Sequence, residues 1–138
     1  MNLHISWADV RNYAILLGIF LLIDGLWLLV IAKKLYAQHL GYLMAEKPRL
    51  LAALAFYLLF VLGLQGFVVN PALAAESYTA ALFSGMLFGL IAYATYDLTN
   101  LATVRGWPVL ITAVDLVWGS FVSGVTSLLG YWSIRLLS

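Results

Sequence analysis

Four runs of about twenty mostly apolar residues, separated by short polar stretches, restrict this chain more than any other feature. A hydrocarbon core about 30 Å thick is crossed by about 20 residues of helix at 1.5 Å each. The first run covers about residues 12–32 and carries one charge, Asp24, before Lys33 and Lys34 close it. The second covers about 50–69, behind Pro48-Arg49 and ahead of Asn70-Pro71. Proline suits a first helical turn and disrupts an interior, so both prolines read as punctuation. The third run, about 78–101, contains Asp97, and the fourth, about 108–134, contains Asp115. Together they fill most of the 138 residues and predict a single all-α domain, 1–138: an integral membrane bundle of four transmembrane helices.

Composition supports that reading. Only 9% of the residues are charged and 64% are hydrophobic, whereas a soluble domain carries about 25% charged residues to cover its surface. A net charge of +1 offers nothing to nucleic acid, and zero cysteines exclude disulfides, thiolate metal sites and cysteine nucleophiles. Runs such as Leu50–Phe60 are apolar without alternation, which argues against barrel strands. The first run reads as a retained anchor rather than a signal peptide, because Asp24 is foreign to an apolar signal core.

Lysine and arginine set the expected orientation. Lys33, Lys34, Lys47, Arg49 and Arg105 fall on one side of the four spans, and only Arg11 and Arg135 on the other. The positive-inside rule puts the first set in the cytoplasm and both termini outside it. Between the first two spans, Leu35/Tyr36, His39/Leu40 and Leu43/Met44 recur at helical spacing and predict an interfacial helix over about 34–45. A plain extension of the first helix fits the same pattern. Trp7, Tyr78, Trp107, Tyr131 and Trp132 fall near span ends and read as aromatic belts.

The intramembrane carboxylates are the candidates for function. An ionised Asp at mid-bilayer costs about 2.5–3.5 kcal/mol on insertion scales, so such residues face a protein interior or water. Counted at 1.5 Å per residue, Asp24, Asp115 and Asp97 lie about 12, 9 and 6 Å from the cytoplasmic ends of their helices. Because the helices alternate in direction, all three converge toward one depth. Tyr93, Tyr96, Asp97 and Asn100 share a helical face, flanked by Thr95, Thr99 and Thr103. Thr112, Asp115, Trp118 and Gly119 share another, and Asp24-x-x-Trp27 echoes Asp115-x-x-Trp118 in a helix of opposite direction.

Three carboxylates so close cannot all be ionised in a low-dielectric site; a shared proton, a bound cation or a partner such as Arg105 would resolve the conflict. The alternative is that the same groups hydrogen-bond one another as interhelical glue. Gly85-x-x-x-Gly89 and the series Gly119, Ser123, Ser127 predict close packing of the last two helices. Enzyme signatures are sparse: His4 and His39 lie outside the spans, and no zinc motif, nucleotide loop or cofactor signature is present.

The run Tyr93-Ala94-Thr95-Tyr96-Asp97-Leu98-Thr99-Asn100, followed by Trp107-Pro108 and Asp115-x-x-Trp118-Gly119, resembles the bacterial predicted membrane protein family called domain of unknown function 2177. Asp24-x-x-Trp27-Leu28, Tyr36 with Leu40-Gly41, Phe56-Tyr57 and Pro71-Ala72-Leu73 belong to the same resemblance. It implies a four-helix bacterial inner-membrane protein with Asp24, Asp97, Asn100, Asp115 and Trp118 as motif positions. The expected function is transport, or binding of a proton or small ligand at Asp24, Trp27, Tyr93, Tyr96, Asp97, Asn100, Asp115 and Trp118. Four helices are few for a transporter, so a homodimer is a corollary. An enzyme or accessory subunit of membrane lipid metabolism and a non-catalytic assembly partner are the alternatives. The bilayer is the expected partner; the small-molecule or lipid ligand is left open.

Overall fold

The computed structural model describes residues 4–45 and 47–138. Within them the chain forms α1 (Trp7–Ile31), α2 (Lys33–Leu40), α3 (Leu50–Ala74), α4 (Tyr78–Thr103) and α5 (Val109–Leu137), and α1, α3, α4 and α5 are long and apolar enough to cross a membrane. The four long helices run up, down, up, down in a closed ring, α1 to α3 to α4 to α5 and back to α1. The exterior is apolar, with Leu22, Leu29, Leu51, Leu59, Phe67, Phe83 and Val117 exposed, while Asn12, Gln65, Asp97, Ser123, Thr126 and Ser127 are buried. That inversion of a soluble protein's pattern is what a hydrocarbon solvent favours.

Local chemistry moves several boundaries. The first helix starts at Trp7 rather than near Asn12, because Ser6 and Asp9 form a capping box: Asp9 N donates to Ser6 Oγ at 3.3 Å and Ser6 N donates to Asp9 Oδ2 at 2.9 Å. Arg11 therefore sits inside a helix, and its guanidinium reaches the Leu137 carbonyl at the far end of α5. Asn70-Pro71 does not end the second span. A π-helical turn over Gln65–Val69 shifts the hydrogen-bond ladder by one residue, with Asn70 N donating to Gln65 O, and Pro71 enters the first turn of the renewed helix, where no N–H is required of it. The helix continues to Ala74.

α5 is the hub. Its core face contributes Val122 and Ile134 to a cluster with Leu16, Phe20, Phe60, Val61, Leu64, Val68 and Val69. Against α4 the approach is close: a Cβ on Gly89 would stand 2.1 Å from Gly119 O, and one on Gly85 would stand 2.6 Å from Ser127 Oγ. The glycine and serine pattern is thus the α4–α5 seam. Two expected belt residues are interior instead. Tyr131 is buried, and Trp107 is buried with its indole N–H on Thr112 Oγ1 at 3.1 Å. Gly106, at φ +75°, makes the sharp turn that sends Trp107 back inside.

α3 departs from the ring at its start. Leu50 to Phe56 are all exposed, and the first fully packed side chain is Phe60. The residues that end α1, Leu28 to Ile31, are exposed as well. This splaying leaves space between α1, α3, α4 and α5 at the end where the aspartates lie.

Candidate functional site

A cavity of about 430 Å³ fills that space, lined by Asp24, Trp27, Leu28, Tyr36, Phe56, Tyr57, Ala92, Tyr93, Tyr96, Asp97, Asp115 and Trp118. Asp24, Asp97 and Asp115 come from α1, α4 and α5, and all three are buried. Each carboxylate is treated differently by its neighbours. Asp24 is satisfied on both oxygens: Tyr57 OH donates to Oδ2 at 2.8 Å and Trp118 Nε1 donates to Oδ1 at 3.0 Å. Asp115 accepts a short hydrogen bond on Oδ1 from Tyr36 OH. Asp97 is fully buried, and neither of its oxygens has a hydrogen-bond donor among the described residues.

The Asp97 and Asp115 carboxyls are within hydrogen-bonding reach of each other. Two ionised carboxylates have no proton to share, so a bond between them exists only when one proton is held by the pair. No lysine or arginine of the described residues pairs with these carboxyls. Among the described residues the ion pair formed is Arg135 with Glu76, at 3.8 Å, and Arg105 is exposed. Nor do any three His, Cys, Asp or Glu side chains of the described residues gather closely enough to hold a metal ion.

Two tryptophans join the halves of the site. Trp27 and Trp118 stack with ring centroids 4.3 Å apart and an interplanar angle of 10°. Each serves the other motif's acid: Trp118 donates directly to Asp24, while Trp27 Nε1 donates to Tyr36 OH at 3.2 Å, which donates on to Asp115. The repeated Asp-x-x-Trp spacing, in helices of opposite direction, makes this exchange geometrically available. Trp27 also opens the π-helical turn Trp27–Ile31, closed by Ala32 N donating to Trp27 O at 2.7 Å, from which the chain turns into α2.

α2 brings a group that periodicity alone does not reveal. Its half-buried residues Leu35, Tyr36, His39 and Leu40 follow the expected helical spacing, and Tyr36 reaches the cavity. Burial first, then the hydrogen bond to Asp115, hold the Tyr36 phenol well above its ordinary value, so it remains a donor. Tyr42 OH, just beyond α2, donates to Gly106 O at 2.9 Å and ties this connection to the α4–α5 turn.

All the residues singled out for binding line the cavity except Asn100, which is half-buried and whose backbone carbonyl accepts from Val104 N. The flanking threonines turn away: Thr95 and Thr103 donate to the carbonyls of Ile91 and Thr99 on their own helix. Tyr36, Tyr57 and Phe56 are the lining residues that helical spacing around the aspartates misses. The signal that could have found them is their presence in the family resemblance.

Residues 10–132 match the model of a family described as Predicted membrane protein (DUF2177). No curated protein and no solved structure matches the chain.

Proposed function

Because the chain belongs to the DUF2177 family, defined by its membrane character, we propose a function from the chemistry of the cavity: a small transport protein that binds a proton or small polar ligand between its helices. The observation that carries this reading is Asp97, fully buried beside Asp115 with no protein donor on either oxygen. A carboxyl in that position is expensive to keep unless it exchanges a proton or a ligand. Tyr36, held as a donor, keeps Asp115 aligned for such a shared proton. Asp24, satisfied by Tyr57 and Trp118, acts as the fixed wall of the site.

The family resemblance implies a bacterial inner-membrane protein, and the excess of lysine and arginine around 33–49 and at Arg105 supports an orientation with the cavity toward the cytoplasm and both termini outside it. A homodimer completes the reading, checked by mass photometry in nanodiscs. The functional test is proton flux into proteoliposomes loaded with a pH-sensitive dye. Asp97→Asn is expected to abolish flux while circular dichroism shows the helices intact. Flux unchanged in both Asp97→Asn and Asp115→Asn overturns the reading.

A second reading has one specific observation in its favour. Leu28, Phe56 and Tyr96 line the cavity and are also exposed on the outer surface, so a lipid could enter from the side and meet the carboxyls as acid or base in lipid metabolism. An altered lipid profile in a deletion strain, restored by the wild type and not by Asp97→Asn, is the outcome that favours it.

A further inference from the structure

We propose that the ligand of this cavity is an organic ammonium ion carrying N–H donors and an apolar body, a proposal that rests on reading the cavity as a binding site. The lining contains three carboxylates and no lysine, arginine or histidine. A ligand that enters must therefore bring positive charge or a proton with it. A metal ion is disfavoured by geometry, since no cluster of three ligating side chains forms among the described residues.

The remaining walls select the kind of cation. Trp27, Trp118, Tyr57, Tyr93, Tyr96 and Phe56 surround the acids, and aromatic faces attract ammonium groups by cation–π interaction more strongly where water is excluded. Four of the lining donors are already committed, Tyr57 and Trp118 to Asp24 and Trp27 and Tyr36 to the chain that ends on Asp115. The Tyr93 and Tyr96 hydroxyls remain, beside two Asp97 oxygens that accept from no donor among the described residues. An ammonium with N–H groups supplies both the charge and the donors that three carboxylates call for, whereas a carboxylate or phosphate adds like charge. The volume of about 430 Å³ lies within the range of small-molecule sites, and the mostly aromatic lining suits an alkyl or aryl body.

A primary ammonium could arrive as a free amine or as the headgroup of an ethanolamine lipid entering past Leu28 and Phe56. Full-length protein in phosphatidylcholine nanodiscs, which contain no primary amine, is titrated calorimetrically with n-octylamine, with n-octanol as the neutral control and empty nanodiscs subtracted. The expected result is saturable octylamine binding, absent with octanol and weakened at least about tenfold by Asp97→Asn and by Asp115→Asn. Equal responses to octylamine and octanol in the wild type overturn the proposal, and this comparison needs no variant to fold. So does octylamine binding left unchanged by both substitutions. Repeating the titration in phosphatidylethanolamine nanodiscs identifies the source: competition that weakens octylamine binding indicates the lipid headgroup, and unchanged affinity a free amine. Proton flux that depends on Asp97 without any octylamine binding leaves the transport reading standing and removes this one.

Discussion

Along a single pair of helices, α4 and α5, the molecule packs in two opposite ways. At Gly85 and Gly89 the backbones nearly touch, and any added Cβ collides with Ser123, Ser127 or the Gly119 carbonyl. One turn on from Gly89, Tyr93 lies on the face of Gly119, where a Cβ would come within 2.3 Å of its ring, and beyond it Asp97, Asp115 and Trp118 border open space. Both regions bury polar side chains with no hydrogen-bond partner among the described residues, Ser123 and Ser127 in the seam and Asp97 at the cavity. In the seam those groups are sealed by close packing. At the cavity the unpartnered group borders space that a ligand or proton can use. Small residues bring α4 and α5 together in the seam, and aromatic side chains line the cavity beyond it.

Substitutions can break each side of this comparison. The largest effect is expected from Gly89→Ala, whose methyl group would strike a backbone carbonyl on α5: a loss of about 3 kcal/mol, the upper end for overpacking, measured by unfolding in mixed detergent micelles. Asp24→Asn should follow at about 2 kcal/mol, because two hydrogen bonds to a charged carboxylate become neutral ones, Trp118 Nε1 donating to the amide oxygen and the amide N–H donating to the Tyr57 hydroxyl. Asp97→Asn keeps an N–H that can donate to the Asp115 carboxylate in place of the shared proton, so its stability should change by less than about 0.5 kcal/mol while proton flux disappears. If Asp97→Asn destabilises as much as Asp24→Asn, the distinction between a fixed and a working carboxylate fails.

Tyr36→Phe removes the donor to Asp115 and the acceptor of Trp27, for an expected loss of about 1.5 kcal/mol in the same unfolding assay. It should also shift the fluorescence of the Trp27–Trp118 stack. The smallest effect belongs to Gly18→Ala on α1, where an added Cβ meets nothing within 4 Å. Alanine's better helix propensity should stabilise the protein by about 0.5 kcal/mol, and a loss comparable to that of Gly89→Ala would refute the view that this face of α1 is open.

Much of this was legible before any coordinates. Hydropathy and helix rise located the four spans, and counting residues from the ends that meet on one side placed three acids at similar depths. The misreadings have local causes. Asn70-Pro71 looked like a stop because a π-helical turn that accommodates proline has no sequence signature as plain as the proline itself. Trp107 and Tyr131 looked like belts because position along a helix says nothing about which way a side chain points. Asn100 shares the helical face of Asp97 and Tyr96 and lies one turn beyond the residues that line the cavity.

The sequence by itself determined the medium and the inventory: apolar stretches long enough to span a bilayer cannot be covered in water, and acids within them must turn inward. Only the tertiary structure decided which acid is satisfied and which is not. Donors to Asp24 and Asp115 come from residues 33, 79 and 94 positions away. Spacing rules reach one or two helical turns, whereas a hydrogen bond across a bundle depends on how helices rotate and splay as they pack. That is why Asp97, indistinguishable in sequence from the other two, emerges as the carboxylate left without a partner.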